Sequence, residues 1–296
     1  MLRLILQIAA AMLTAGGLAA CTTADVAPSV ITTTTLPAMT SKHAVIVVDA
    51  SNGKTLYSLD SELPRYPASL TKMMTLYMLF EALQQGRVDM TAQIPVSAYA
   101  AARPPTKIGF RPGETIDVES AIHALVIKSA NDVAVAVGEY LGGTEERFAS
   151  MMTAKARQLG MRGTTFRNAS GLPDPEQRTT ARDMALLGMT LRVRYPQYYR
   201  YFSETSFTFR GRTIRGHNDL LGRVQGVDGI KTGYVRDSGF NIVTSVDTEG
   251  RRMVAVVMGG QTARARNAEV EQLIERYLPQ TAQSGGASLP AAPVHR

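Results

Sequence analysis

The apolar positions change period twice along the chain, from strand-like to helical and back. Residues 45–48 are a short β-branched run, followed by the turn pair Asn52-Gly53 and by residues 55–58, which predicts an opening β-hairpin. From Ser69 to about Arg194 the pattern is mainly helical. Leu70, Met73, Met74, Leu76, Tyr77, Met78, Leu79, Phe80 and Leu83 form a run that is apolar nearly all round. It starts just after Pro67 and stops at Gly86, the profile of a helix buried in the middle of a domain. Helical periodicity continues over residues 119–141 and 145–159, with a loop-like stretch at Lys128-Ser129-Ala130-Asn131-Asp132, a helix cap or turn, between apolar helical segments; Thr180 with Asp183 resembles a capping box ahead of Met184, Leu186 and Leu187. Strand-like segments return at 207–209, around Ile230, at 242–246 and at 253–258, before a helix over 263–278. Strands at both ends of a helical middle predict an α+β fold, with one antiparallel sheet built from the two termini and flanked by helices.

Composition changes the picture at the ends. Residues 1–21 carry Arg3, an apolar core over 4–13 and then small residues, which predicts a secretion signal; Gly16-Gly17 and the alanines leave too short an apolar run to span a membrane. Leu18-Ala19-Ala20-Cys21 resembles a bacterial lipoprotein cleavage box, and Cys21, the only cysteine, has no disulfide partner in the chain. Cleavage by the general signal peptidase, with Cys21 incidental, is the competing reading. Residues 22–42 are threonine-rich and punctuated by proline, a flexible tether; 280–296, rich in Ala, Gly, Ser and Pro, are expected to be disordered. Residues 43–279 then form one domain. The net charge of +7 suits anionic surroundings, whether cell-wall polymer or acidic lipid, and equally a generic basic surface. The basic residues are scattered without a recognition motif, and no nucleic-acid partner is expected.

The candidate chemistry lies in three strings. In Ser69-Leu70-Thr71-Lys72, helical spacing puts Ser69 and Lys72 one turn apart on one face, with free N–H groups at the helix start. An ordinary helix cap is the commoner use of such a serine. Ser51-Asn52-Gly53-Lys54 has the same spacing but sits on the hairpin turn, where no helix holds its lysine to its serine. His43, His123, His217 and His295 occupy no recognisable triad context, and no Gly-x-Ser-x-Gly elbow is present, so lysine is the base that remains. Holding a lysine of ordinary pKa neutral at pH 7 costs roughly 4–5 kcal/mol; burial and a second ammonium both shift it in the required direction. No metal or other cofactor is implied, since no clustered ligand pattern occurs.

With Ser129-Ala130-Asn131 and Lys231-Thr232-Gly233 following in order, the chain resembles the penicillin-binding proteins and serine β-lactamases, and most closely the low-molecular-mass D-alanyl-D-alanine carboxypeptidases. The likeness extends over about residues 43–279. It takes in Tyr66-Pro67-Ala68, the stretch from Phe166 through Asn168 and Gly171-Leu172-Pro173 to Thr179-Thr180-Ala181, Asn218-Asp219-Leu220-Leu221, Val227-Asp228-Gly229-Ile230 and Val257-Met258-Gly259-Gly260. The family's larger members carry a second, β-rich domain, which is not expected in this sequence.

The resemblance implies a β-lactamase/transpeptidase-like fold, a peptidoglycan stem peptide as substrate and β-lactams as covalent inhibitors. It makes Ser69 the nucleophile, Lys72 its base and Ser129 the proton relay to the leaving amine. Asn131 binds the substrate's peptide carbonyl, and Lys231 with Thr232 its carboxylate. Gly233 lets the substrate backbone lie against its strand, and the N–H groups of Ser69 and Tyr234 form the oxyanion hole. Arg266 aligns with an arginine near the carboxylate, though a solvated helical arginine fits its position too. His217 stands where the family often has a basic residue, which puts carboxylate recognition there in doubt. A D,D-endopeptidase would use the same site. The loop glutamate of class A β-lactamases has no counterpart, because Glu176 is followed by Gln177-Arg178-Thr179-Thr180. Thr22 after the cysteine suggests the outer membrane if the organism is Gram-negative. A non-catalytic wall-binding lipoprotein is the reading from another class, and it leaves Lys72 buried to no purpose.

Overall fold

The structure is a computed structural model that describes residues 42–283; Cys21, the expected signal segment, nearly all of the expected tether and most of the expected tail lie outside them. In chain order the elements are β1 (Ala44–Asp49), β2 (Thr55–Leu59), α1 (Lys72–Gln84), β3 (Gln93–Pro95), α2 (Ala98–Ala101), β4 (Thr115–Asp117) and α3 (Val118–His123). Then come α4 (Asn131–Gly142), α5 (Glu145–Gln158), α6 (Ala181–Arg194), α7 (Pro196–Tyr199), β5 (Ser206–Phe209) and β6 (Arg212–Arg215). The chain closes with β7 (Val227–Val235), β8 (Gly239–Thr248), β9 (Arg251–Gly260) and α8 (Ala263–Tyr277).

Five strands form one antiparallel sheet in the order β2-β1-β9-β8-β7, so the two ends of the domain do share a sheet. Its strands read as continuous apolar runs because both faces are covered. Along β1, Ile46 and Val48 join the core that contains α1 and α6, whereas Val45 and Val47 join the cluster under α8. β9 divides in the same way, Val254 and Val256 to one side and Ala255 and Val257 to the other. Helix α1 lies within the larger core, apolar all round as its sequence requires.

The loop-like stretch expected between helical segments is a tight break: α3 passes into a π-turn at Ala124–Lys128, Ser129 adopts a left-handed conformation (φ 59°), and α4 starts at Asn131. Two local expectations change. The capping box is half formed. Thr180 Oγ1 accepts the Asp183 N–H at 3.0 Å, but the Asp183 carboxylate accepts from the Gly163 N–H and the Thr164 hydroxyl, tying the loop before α6 to its start. The expected tail begins as ordered chain: Gln283 bridges to Arg251, and the Ala282 N–H donates to Asp49. At the opening hairpin, Ser51 donates to the Asp49 carboxylate at 2.5 Å, which accounts for the serine of the second Ser-x-x-Lys string as a turn residue.

Candidate active site

Ser69 lies in a 3-10 turn, Ala68–Thr71, that leads into α1. A 3-10 turn eclipses residues three apart, so Lys72 Nζ sits 3.1 Å from Ser69 Oγ. This turn is held from three sides. Ala68 has a positive φ of 48°, a conformation that costs a non-glycine residue about 1–3 kcal/mol. Gly171, at φ 85°, is packed against it so closely that a Cβ would lie 1.8 Å from the Ala68 carbonyl oxygen. Asn241, fully buried on β8, donates to the carbonyls of Tyr66 and Pro67 and accepts the Gly259 N–H, pinning the approach to Ser69 onto the sheet.

Lys72 is completely buried. Besides Ser69 its amine meets Asn131 Oδ1 at 2.7 Å and the Ser170 carbonyl at 2.6 Å. Both are acceptors only. A neutral amine would have two N–H groups for them and one lone pair left for the Ser69 hydroxyl; a protonated one would donate to all three. Desolvation, then the positive Lys231, push the Lys72 pKa well below the ordinary lysine value, against the opposing pull of Asp132 and Glu145. In its neutral form the group could accept a proton from Ser69.

The break between α3 and α4 places the second string. The Thr106 hydroxyl donates to the Ser129 carbonyl, and the Asn131 N–H donates to the Thr106 carbonyl, so a loop from elsewhere in the chain fixes the bend. Asp132 holds that loop in turn by accepting the N–H groups of Ile108 and Gly109. Ser129 Oγ is buried without a hydrogen-bond partner and lines the cleft. The Asn131 amide spends its oxygen on Lys72 and one N–H on the Pro104 carbonyl, leaving one N–H for a ligand.

The third string lies on β7, the edge strand of the sheet beside the cleft. Gly233 has a use within the fold itself: a Cβ there would meet the Ser69 nitrogen at 3.0 Å, so its bareness admits the turn that carries Ser69. Lys231 is 2% exposed, and its amine reaches only the Thr232 carbonyl. Burial, then the charge of Arg266, bring its pKa down to about 7. Arg266 is 3% exposed rather than solvated; it donates to Asn241 O and Asn267 Oδ1 and has no carboxylate ion pair among the described residues. Burial lowers its pKa to about 10. Lys231 and Arg266, two buried basic groups with no salt-bridged anion among the described residues, could receive a carboxylate. His217 lines the same cleft; desolvation, then Lys231, lower its pKa, so at neutral pH it adds no charge.

Ser69, Ser129, Asn131, Thr232, Gly233, Tyr234 and Arg266 thus line one cleft of about 470 Å³, with the Lys72 and Lys231 amines bonded to its walls at Ser69 and Thr232. Sequence reasoning missed Asn241, signalled only as a polar residue heading an apolar strand, and the Ser170 carbonyl, which carries no side-chain signal.

A family described as D-alanyl-D-alanine carboxypeptidase matches residues 30–262 of this chain. The D-alanyl-D-alanine carboxypeptidase DacA of Escherichia coli strain K12 is 35% identical over 240 residues, covering 78% of this chain and 59% of that relative. Penicillin binding protein 5 from Haemophilus influenzae has a structure with TM-score 0.77 and 32% identity, covering 81% of this chain and 71% of that one. Penicillin-Binding Protein D2 from Listeria monocytogenes, in the ampicillin bound form, gives TM-score 0.70 and 29% identity over 81% of this chain and 98% of that one. The fold is that of the transpeptidases and β-lactamases, and the chain belongs to the D-alanyl-D-alanine carboxypeptidase family. It spans about three-fifths of the length of the curated relatives it matches.

Proposed function

We propose that this protein is a serine-type D-alanyl-D-alanine carboxypeptidase that removes the terminal D-alanine from peptidoglycan stem peptides and is inhibited by penicillin. The observation that carries this reading is the buried Lys72 amine, whose two acceptors leave its lone pair to Ser69. Lys72 takes the Ser69 proton as Oγ attacks the penultimate D-alanyl carbonyl. The N–H groups of Ser69 and Tyr234 receive the developing oxyanion, where each donor is worth about 2.7–4 kcal/mol in sites of this type. Asn131 steadies the peptide, Thr232, Lys231 and Arg266 hold the terminal carboxylate, and Ser129 passes a proton to the leaving amine. Water then hydrolyses the ester. The β-lactamase reading is disfavoured because Glu176 pairs with Arg167 at the surface and does not line the cleft.

Incubating the full chain with peptidoglycan and reading muropeptides by mass spectrometry tests the activity. Pentapeptides should become tetrapeptides, and prior penicillin should stop the conversion. Pentapeptides left intact by a chain that penicillin still labels would refute the carboxypeptidase assignment.

The same proposal places the enzyme outside the cytoplasm on a lipid anchor at Cys21, at the outer membrane if the organism is Gram-negative. Among the described residues no helix is long and apolar enough to cross a membrane. Several acyl chains on one cysteine would hold the protein firmly, since one myristoyl-sized chain already gives marginal binding. The tether of about twenty residues reaches at most roughly 70 Å, which confines the enzyme to wall near its membrane. Cys21→Ser should leave an uncleaved precursor, whereas the wild-type chain should fractionate with membranes and carry added mass at Cys21. Mature wild-type protein free of membrane, with no added mass, would remove the anchor and leave the chemistry untouched.

A further inference from the structure

Two glutamates open α5, and the fold treats them differently. Glu146 is exposed, the ordinary place for an acid beside the positive end of a helix. Glu145 is 5% exposed and has no salt-bridged cation among the described residues. Its two oxygens accept the Ala169 N–H at 2.9 Å and the Tyr99 hydroxyl at 3.0 Å. Both partners are donors, which suits an ionised carboxylate. A buried acid is costly, and no step of the chemistry described above uses this one.

What Glu145 holds is the backbone that meets Lys72. Ala169 is fully buried, and its carbonyl accepts the Thr75 hydroxyl at 2.7 Å, from one turn beyond Lys72 on α1. The next carbonyl, that of Ser170, is the one bonded to the Lys72 amine, and the residue after it, Gly171, is wedged against Ala68. Asn168 Oδ1 accepts the N–H groups of Ser170 and Gly171. Residues 168–171 are thus a strap beside the nucleophile turn, fastened at Ala169 to α5 by Glu145 and to α1 by Thr75. The charge of Glu145 also reaches the amine: burial and then Lys231 lower the Lys72 pKa, while Asp132 and Glu145 hold it up. The other charged or titratable groups around Glu145 are Tyr99 on α2, Arg103, whose guanidinium stacks on the Tyr99 ring, and Glu146 on α5 itself.

Resting on the catalytic reading of Ser69 and Lys72, we propose that Glu145 is a positioning residue for the base. Its carboxylate fixes the strap that presents the Ser170 carbonyl to Lys72, and its negative charge favours the protonated amine. The two effects oppose each other in one respect: the strap makes Lys72 a well-placed base, and the charge delays its loss of a proton as pH rises. Substitutions that keep the bonds and remove the charge, or keep the charge and remove a bond, separate them.

The test measures the second-order rate of acylation by a fluorescent penicillin, with the full chain, from about pH 5 to 10. Glu145→Gln keeps an oxygen for the Ala169 N–H and an amide for the Tyr99 oxygen, and removes the charge. Its plateau should stay within about threefold of wild type, while its acid limb moves to lower pH by roughly half a unit. The sign follows from the base: without the carboxylate, Lys72 gives up its proton at lower pH. Thr75→Val keeps the charge and strips the Ala169 carbonyl of its partner. Its plateau should fall at least about tenfold with the limb unmoved, because a base shifted from its hydroxyl loses the reactive geometry. Glu145→Ala should show both changes. An acid limb that stays in place in Glu145→Gln, or a wild-type plateau in both Thr75→Val and Glu145→Ala, overturns the proposal. The glutamine and valine results decide it even if the alanine variant does not fold. A wild type that takes no label overturns instead the catalytic reading, and the role of Glu145 with it.

Discussion

A fluorescent penicillin should label the wild-type chain and Ser51→Ala to the same extent and leave Ser69→Ala without label after denaturation. The two serines have the same spacing to a lysine, so the contrast isolates what the fold adds. Ser51 gives its hydroxyl proton to Asp49 in a hairpin turn, while Ser69 has a desolvated amine 3.1 Å away and backbone N–H groups at the start of a helical segment. Lys72→Arg should leave the charge in place and lower the second-order acylation rate at least about a hundredfold, the lower end for loss of a general base, because a guanidinium stays protonated near neutrality. Label on Ser69→Ala equal to wild type would dispose of the serine nucleophile. A near-normal rate for Lys72→Arg would assign the base to another group.

What the sequence made legible is what side-chain pattern determines. Helix α1 was readable because a run apolar all round has nowhere to go but the core, and the hairpin because Gly53 supplies the positive φ its turn requires. The three strings were readable because serine, lysine and asparagine carry the chemistry in their side chains. The loop-like stretch at residues 128–132 was readable from its Ser, Asn and Asp, but its left-handed turn at Ser129 was not, because the bend is fixed by hydrogen bonds with Thr106, over twenty residues away in the chain. Ser170 acts through its carbonyl, which every residue possesses. The demand on Gly233 comes from the Ser69 turn packed against it, a neighbour that only the assembled fold supplies.

Replacing Lys231 by methionine should stabilise the protein and disable it at once. Burial and the Arg266 charge take the Lys231 pKa from 10.5 to about 7, so the charged form costs on the order of 5 kcal/mol in the folded state. The sign follows from proton counts. Below pH 7 both folded and unfolded chains carry the proton and the full cost applies. Between pH 7 and 10.5 the unfolded chain binds more protons, so stability climbs with pH until the cost is gone. Methionine fills nearly the same volume without a charge, so urea unfolding should show Lys231→Met well above wild type at pH 6, with the difference shrinking toward pH 10. Penicillin acylation should fall more than about thirtyfold, the lower end for removing the partner of a buried carboxylate. The remaining activity should also rise at higher pH than in wild type, since Lys231 no longer depresses the Lys72 pKa. A variant less stable than wild type at pH 6 would show that the Lys231 charge is compensated in the fold, and the carboxylate would then have no uncompensated ammonium to meet there.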